Sequence, residues 1–233
     1  MKFAVIGEHR DCLRKQGWIE FDELLTLDQL AIIEKETTLV LANRLKEPVN
    51  KIFKLPSEEL FSSGKDLWRE SQSLKKIVLS KTLAEVASEL IEYKPLRYGY
   101  DLLLPSPSKP ILYNQGSLSA ILTQTPTLEE ISCVQGLRCG LILCIQSSQP
   151  IDNENKSFFS NQPGNGVFFR PDTPIPFNEL TKHAGNLYLM LVYTDAKAVY
   201  RMEPNDPHVN NFKKIGYNFG DKLTDTLNPL VFS

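Results

Sequence analysis

The pattern of apolar residues changes at Pro95, and this change constrains the fold more than any other feature of the chain. Before Pro95 the apolar residues recur at helical spacing and follow helix-start signals. The first such signal is Thr26 followed by Gln29, which together form a capping box. It predicts a helix from about residue 27 towards Leu45, and Pro48 would stop this helix.

A second helix is predicted over residues 82–91, where Thr82 and Glu85 form another capping box. Apolar residues recur on one face of this helix, at Leu83, Val86, Ala87, Leu90 and Ile91. Shorter helices are predicted from Ser57 and over residues 66–79. We expect all of these helices to serve as scaffold.

After Pro95 the apolar residues come in short runs separated by Pro, Gly, Asn and Ser, which is typical of strands. The predicted strands are Leu96–Leu104, Pro110–Tyr113, Gly136–Ile145, Gly166–Phe169, Tyr188–Tyr193 and Ala198–Arg201. Helices first and strands afterwards predict an α+β chain in which helices pack on a β-sandwich or barrel. We expect a single domain over residues 1–233, with a helical part at about 1–94, a β-barrel part at about 95–204 and an irregular tail at about 205–233.

Composition and charge exclude several classes of protein. With 42% hydrophobic and 23% charged residues, the chain differs from the polar, highly charged composition of disordered proteins. Lys and Arg number 26 against 28 Asp and Glu, so the net charge of −2 does not predict a nucleic-acid partner. The apolar stretch after Lys2 meets Glu8 too early for a signal peptide, and no apolar run is long enough to span a bilayer. We therefore expect a soluble, cytoplasmic protein without a membrane partner.

The four cysteines do not have the spacing of a metal site. Cys12, Cys133, Cys139 and Cys144 contain no C-x2-C step, which a zinc site would require. On one continuous strand, Cys139 and Cys144 would point to opposite faces. We expect buried, reduced thiols that act as small apolar side chains.

Three segments carry a family resemblance. Residues 17–30 (GWIEFDELLTLDQL) resemble the opening of phytanoyl-CoA-hydroxylase-like members of the Fe(II)/2-oxoglutarate dioxygenase superfamily. Residues 96–104 (LRYGYDLLL) and 164–171 (GNGVFFRP) continue the resemblance, which covers most of residues 15–195 in order and spacing. The chain also resembles conserved proteins of obligate intracellular bacteria assigned to the same fold. This resemblance implies a double-stranded β-helix core, jelly-roll or cupin-like, with the N-terminal helices packed on it.

The resemblance also implies Fe(II) and 2-oxoglutarate as cofactors, with two histidines and one carboxylate as iron ligands. The family's H-x-D/E step should fall within about residues 111–135, which contain no histidine. The place of the distal histidine, a few residues after Phe169, holds residues 172–176 (DTPIP) instead. The strand at 187–193 lacks the Arg or Lys that would bind 2-oxoglutarate. We therefore predict neither the iron triad nor the 2-oxoglutarate site, and no cofactor.

Few residues remain for a different metal site. The only H-x-D step, His9-Arg10-Asp11, precedes the opening strand and is interpreted as a surface turn. His183 directly precedes a predicted strand, and only Asp206 and His208 could join it from the tail. These three are weak metal candidates, the alternative being surface or capping histidines. An enzyme with an altered metal centre would need ligands from Asp172, His183, Asp195, Asp206 or His208.

Alternation along the predicted strands suggests an anion site. Arg97 and Asp101 should share one face of the strand Leu96–Leu104, and Arg138 lies on the next long strand. If Arg97 and Arg138 both point into the barrel, their N–H groups could clamp a carboxylate or phosphate. The alternative is that both lie on a solvated face. Arg97, Asp101 and Arg138 are thus the candidate ligand-binding residues.

Three functions are consistent with these residues. The first is a diverged, non-oxygenase protein that uses the barrel mouth to bind a small anionic ligand or a protein partner. The second is an enzyme with an altered metal site. The third is a metal-responsive DNA-binding regulator, which the slightly negative charge and the three histidines disfavour.

Overall fold

A six-stranded antiparallel sheet organises the fold. The computed structural model describes residues 4–107, 116–148, 157–182 and 184–233. Its strands are β1 (Trp18–Phe21), β2 (Leu96–Pro105), β3 (Val134–Gln146), β4 (Gly166–Phe169), β5 (Leu187–Tyr200) and β6 (Leu230–Phe232). They lie in the order β1-β4-β3-β5-β2-β6, with every neighbouring pair antiparallel, and the sheet curls into a half-barrel.

Most helices precede β2. They are α1 (Gly7–Gln16), α2 (Leu27–Leu45), α3 (Ser57–Ser63), α4 (Gln72–Val78) and α5 (Lys81–Ile91). Two short helices, α6 (Ser117–Leu122) and α7 (Leu128–Ile131), lie between β2 and β3, and α8 (Asn211–Lys214) follows β5. Single 3-10 segments occur at Val49–Lys54, Leu67–Arg69 and Phe177–Lys182. Within the described ranges, no helix combines the length and the apolar character needed to cross a membrane.

The prediction for α2 is confirmed, including its cap. The Thr26 hydroxyl accepts the Gln29 N–H at 3.2 Å, and the Gln29 side chain accepts the Thr26 N–H at 2.9 Å. The start of α5 was predicted wrongly, because Ser80 and not Thr82 accepts the N–H group that begins the helix. The predicted helix at 66–79 is divided, since Ser71 caps a new helix after the 3-10 segment.

The predicted strands at 96–104 and 166–169 are confirmed, and the one at 136–145 extends slightly to form β3. The last two predicted strands are one continuous strand, β5. It pairs with β3 from Leu187 to Thr194 and, after a register shift, again at Val199 and Tyr200. The strand predicted at 110–113 lies outside the described residues.

The sheet separates two apolar clusters. Its helix face packs against α1, α2, α4 and α5 and carries Tyr98, Leu103, Cys139, Leu141, Leu143, Leu189 and Leu191. Its inner face packs against α6, α7, α8 and the residues after β5, and it carries Tyr100, Leu102, Leu104, Ile142, Cys144, Met190 and Val192. Helices packed on an antiparallel sheet, most of them before its long strands in the sequence, confirm the predicted α+β class.

The cysteines behave as predicted. All four are free thiols, and all but Cys12 are buried. Cys139 lies on the helix face and Cys144 on the inner face. Burial raises the pKa of the Cys133, Cys139 and Cys144 thiols to about 12, so they stay protonated and unreactive.

Candidate functional site

A bulge in β2 places two of the predicted ligand-binding residues on opposite faces of the sheet. Tyr98 pairs with Tyr193 and Tyr100 pairs with Val192, so Gly99 is an extra residue in β2. A bulge reverses the alternation of side chains beyond it. The prediction that Arg97 and Asp101 share a face was therefore wrong.

Asp101 lies on the helix face, where it anchors the 3-10 segment Leu67–Arg69. Its carboxylate accepts the Leu67 N–H at 2.9 Å and the Trp68 N–H at 3.4 Å, and the Tyr98 hydroxyl lies 3.5 Å away. Asp101 is fully buried, so it holds the backbone between α3 and α4 and does not face the inner side of the sheet.

This burial makes Asp101 a source of pH-dependent stability. Burial, with the Asp66 carboxylate adding to it, raises the pKa of Asp101 from 3.8 to about 7. The stability that protonated Asp101 contributes is therefore fully present below about pH 4 and is lost as the pH rises through about 7. Asp101→Asn stays neutral at every pH. We therefore expect its unfolding free energy, relative to that of wild type, to increase by roughly 2 kcal/mol as the pH is raised from about 5 to about 8.

Urea unfolding of both proteins at the two pH values measures this difference. Asp172→Asn serves as the control, because Asp172 is an exposed aspartate. Parallel stability curves for wild type and Asp101→Asn would contradict the prediction.

Arg97 and Arg138 do not converge on one ligand. Arg138 donates to the Asp195 carboxylate at 3.2 Å, and its guanidinium lies 4.1 Å from the centre of the Tyr93 ring, which packs against the helix-face cluster. Arg97 donates to the Ala196 carbonyl at 3.3 Å and forms an ion pair with Asp225 at 2.7 Å. The predicted two-arginine clamp is therefore wrong. The register shift of β3 between Leu137 and Cys139 adds a second irregularity next to Arg138.

The inner face holds a buried polar group that we call the lysine cluster, formed by Lys65, Tyr100, Cys133, Asp206 and His208. The Lys65 ammonium lies 3.5 Å from the Asp206 carboxylate and 4.0 Å from the Cys133 sulfur. It also lies 4.3 Å from the centre of the Tyr100 ring, within cation–π distance. Both members of the ion pair are almost fully buried, with side-chain exposures of 1% and 4%.

Backbone N–H groups complete the environment of the Asp206 carboxylate. One oxygen accepts the Cys133 N–H at 2.8 Å, and the other accepts the His208 N–H at 2.7 Å. Lys65 reaches the cluster because it forms a β-bridge with Leu102 of β2. The cluster thus joins the α3–α4 connection, the start of β3 and the chain after β5.

Electrostatics fix the charges of this ion pair. Burial is the largest single influence on Lys65 and would lower its pKa, but the Asp206 carboxylate and the smaller contributions of other nearby acidic groups together hold the pKa above its ordinary value. Burial likewise opposes ionisation of Asp206, yet Lys65 and the N–H donors hold its pKa below the ordinary value. Lys65 is therefore a permanent buried cation and Asp206 a permanent buried anion at neutral pH.

The other members of the lysine cluster are neutral. Burial, with the Lys65 charge adding to it, lowers the pKa of His208 to about 3. Burial also raises the pKa of Tyr100. The His208 ring packs 4.9 Å from the Phe61 ring, and its Nε2 atom has no hydrogen-bond partner among the described residues. The cluster therefore offers a charged ion pair but no ionised nucleophile or titrating base near pH 7.

Among the residues that the structure describes, the donor set does not fit the iron centre that the resemblance implies. His9 packs 5.1 Å from Phe21 of the helix-face cluster, whereas His208 lies on the inner face. The third histidine, His183, lies outside the described residues. Across residues 4–107, 116–148, 157–182 and 184–233, no three His, Cys, Asp or Glu side chains group as a metal site. Two histidines on opposite faces of a sheet cannot share an ion, so we derive no iron chemistry for these residues.

The remaining candidates for an altered metal centre are engaged in ion pairs. Asp172 pairs with Arg170 at 2.5 Å and Asp195 pairs with Arg138 at 3.2 Å. Asp206 pairs with Lys65, and that fixed cation would repel a metal ion from the same carboxylate. The structure thus brings Asp206 and His208 together, but through the His208 backbone N–H, which donates to the carboxylate that pairs with Lys65.

Sequence reasoning missed Lys65 and Asn228. Asn228 is fully buried, and its side-chain N–H groups reach the Tyr98 and Gly99 carbonyls at the bulge in β2. Neither residue belongs to a motif, and each acquires its partners from strands distant in the sequence. No local signal could have identified them.

The curled antiparallel sheet and its helix layer define a double-stranded β-helix protein, the jelly-roll fold of 2-oxoglutarate oxygenases, as predicted. The structure is similar to the non-heme α-ketoglutarate-dependent carbocyclase SnoK from nogalamycin biosynthesis, with a TM-score of 0.64, 14% identity and coverage of 97% of this chain and 96% of SnoK. It is also similar to EctD from S. alaskensis, solved with 2-oxoglutarate and 5-hydroxyectoine, with a TM-score of 0.58 and 12% identity over 98% of this chain and 87% of EctD.

A third match is CT296 from Chlamydia trachomatis, with 17% identity, coverage of 84% of this chain and 99% of that chain, and a TM-score of 0.49. No protein-family model and no curated protein matches the sequence. At these identities the likeness to SnoK and EctD establishes the fold.

Proposed function

We propose that this chain is a diverged member of the 2-oxoglutarate oxygenase fold that binds a small anionic ligand or a protein partner and lacks oxygenase activity. The observation that carries the proposal is the packing of the inner face, the side on which an oxygenase of this fold would hold its iron. In this chain that face is covered by aromatic and aliphatic side chains.

Aromatic contacts make the packing continuous. Phe159 lies 5.3 Å from Tyr188 and 6.4 Å from Phe177, and Phe158 lies 5.4 Å from Phe169. Ring separations in this range are those of favourable aromatic pairs in protein cores. The phenylalanine rings offer no oxygen or nitrogen ligand to a metal ion, and the Tyr188 hydroxyl already accepts a hydrogen bond from the Asn186 side chain at 3.0 Å.

The charge of the inner face supports the same proposal. The cation within its lysine cluster is Lys65, and the Asp206 carboxylate already neutralises it. A face that supplies its own ion pair does not need a metal ion to organise it. We further propose that the protein acts in a bacterial cytoplasm and that neither nucleic acid nor a membrane is its partner, because its net charge is only −2.

Anaerobic titration calorimetry tests the proposal. We expect metal-stripped protein to show no saturable binding of Fe(II), with or without 2-oxoglutarate. EctD from S. alaskensis, which has been solved with bound Fe, serves as the positive control in the same buffer. Stoichiometric Fe(II) binding at micromolar concentration, strengthened by 2-oxoglutarate, would overturn the proposal and restore oxygenase chemistry.

A further inference from the structure

We propose that Arg97 is a carboxylate-binding site that the protein's own Asp225 occupies in this structure, and that a carboxylate ligand binds there by displacing Asp225. This inference rests on the proposed binding function and adds to it a site and a class of ligand. It concerns one guanidinium, not the two-arginine clamp.

Arg97 is a buried cation, and one of its N–H donors has no hydrogen-bond partner among the described residues. Its side chain is only 6% exposed, and its Nε atom has no hydrogen-bond partner among the described residues. Nη1 donates to the Asn228 carbonyl and Nη2 donates to the Ala196 carbonyl at 3.3 Å. These carbonyls hold the guanidinium in a fixed orientation, but they do not neutralise its charge.

The neutralising charge comes from an exposed residue. The Asp225 carboxylate lies 2.7 Å from Nη2 of Arg97, and its side chain is 71% exposed. Asp225 belongs to the irregular chain between β5 and β6, not to the sheet. Solvent therefore reaches the carboxylate of this ion pair, whereas the arginine side chain is buried.

This geometry favours a carboxylate as the competing ligand. A guanidinium presents parallel N–H groups that match the two oxygens of a carboxylate. A buried cation that loses its partner pays a large desolvation penalty, so Asp225 can leave only when another anion takes its place. The unpartnered Nε–H provides a further donor that such an anion could use.

Competition determines the affinity that an experiment will measure. A carboxylate tethered to the same chain acts at an effective concentration in the millimolar range or above. A free carboxylate therefore binds the wild-type protein weakly, and removal of Asp225 should strengthen its binding by about tenfold or more. The Arg97 guanidinium remains in place in this variant.

The test uses Asp225→Ala and acetate as the probe, with sodium chloride adjusted to constant ionic strength. The thermal unfolding midpoint is measured against acetate concentration, since a ligand that binds only the folded state raises it. We expect a saturable rise in Asp225→Ala at about one tenth of the acetate concentration that wild type requires. The double variant Asp225→Ala with Arg97→Lys, which keeps the charge but lacks the fork of N–H groups, should lose this response.

The matched control is Asp172→Ala, which removes the aspartate of another arginine pair, Arg170–Asp172, whose arginine is 42% exposed. Equal acetate responses in Asp172→Ala and Asp225→Ala would overturn the site, and so would an unchanged response in the double variant. Failure here leaves the Fe(II) calorimetry untouched, so the two proposals can be rejected separately.

Discussion

Replacement of Lys65 by methionine is expected to lower the free energy of unfolding by about 3–5 kcal/mol. The variant leaves the Asp206 carboxylate buried at 4% exposure without its cation. An uncompensated buried charge is among the most destabilising defects in a protein interior. Urea unfolding at neutral pH, with the slope checked for a change in cooperativity, measures the loss.

A second variant separates the charge effect from the loss of packing. The double variant Lys65→Met with Asp206→Leu removes both charges, and we expect it to recover most of the stability lost in Lys65→Met, because hydrophobic residues can replace a buried ion pair. Lys35→Met, at an exposed lysine of α2, should change stability by about 0.5 kcal/mol or less. A loss in Lys65→Met no larger than that of Lys35→Met would show that the lysine cluster does not stabilise the fold.

Asn228→Ala has the second largest expected effect, a loss of about 3 kcal/mol or more. The side chain donates to the Tyr98 and Gly99 carbonyls and accepts the Tyr217 hydroxyl at 3.0 Å. Alanine removes this donor from both carbonyls in a fully buried place, where each unsatisfied group costs about 1–3 kcal/mol. The Tyr217 hydroxyl keeps its hydrogen bonds with Thr224. Chemical unfolding measures the total loss.

Thr226→Ala is the control for Asn228→Ala, because it truncates an exposed residue of the same segment. It should stay within about 0.5 kcal/mol of wild type. Hydrogen exchange at the bulge in β2 provides an independent readout, since loss of the Asn228 bonds should speed exchange there. Unchanged stability and unchanged exchange in Asn228→Ala would contradict this role.

The lysine cluster and Asn228 have the same structural consequence. Asp206 holds the chain after β5 in place through its ion pair with Lys65. Asn228 holds the chain before β6 against β2 through its hydrogen bonds. The C-terminal residues therefore cover the inner face through buried polar contacts. The tail was predicted as irregular, and most of it is, but its attachment depends on these two points.

Local signals in the sequence determined much of the helical layer. The capping box at Thr26 and Gln29 defines the start of α2, because both hydrogen bonds close within four residues. The apolar stripe of α5 is likewise local. At the start of α5 the predicted cap, Thr82, is wrong, because the hydroxyl of Ser80 caps the helix two residues earlier.

Sequence also predicted the fold class, since it depends on which apolar patterns are present and in what order. It could not predict the inner face. The bulge at Gly99 reverses the side chains of β2. An isolated glycine in a strand indicates a bulge only as one of several possibilities. The partners of Lys65, Arg97 and Asn228 are brought together by strand pairing and by the returning C-terminal chain. Hydrogen bonds within a helix turn depend on residues close in the sequence. Buried charge pairs between distant segments form only when the sheet has formed. The tertiary structure alone therefore decided the lysine cluster and the partners of Arg97 and Asn228.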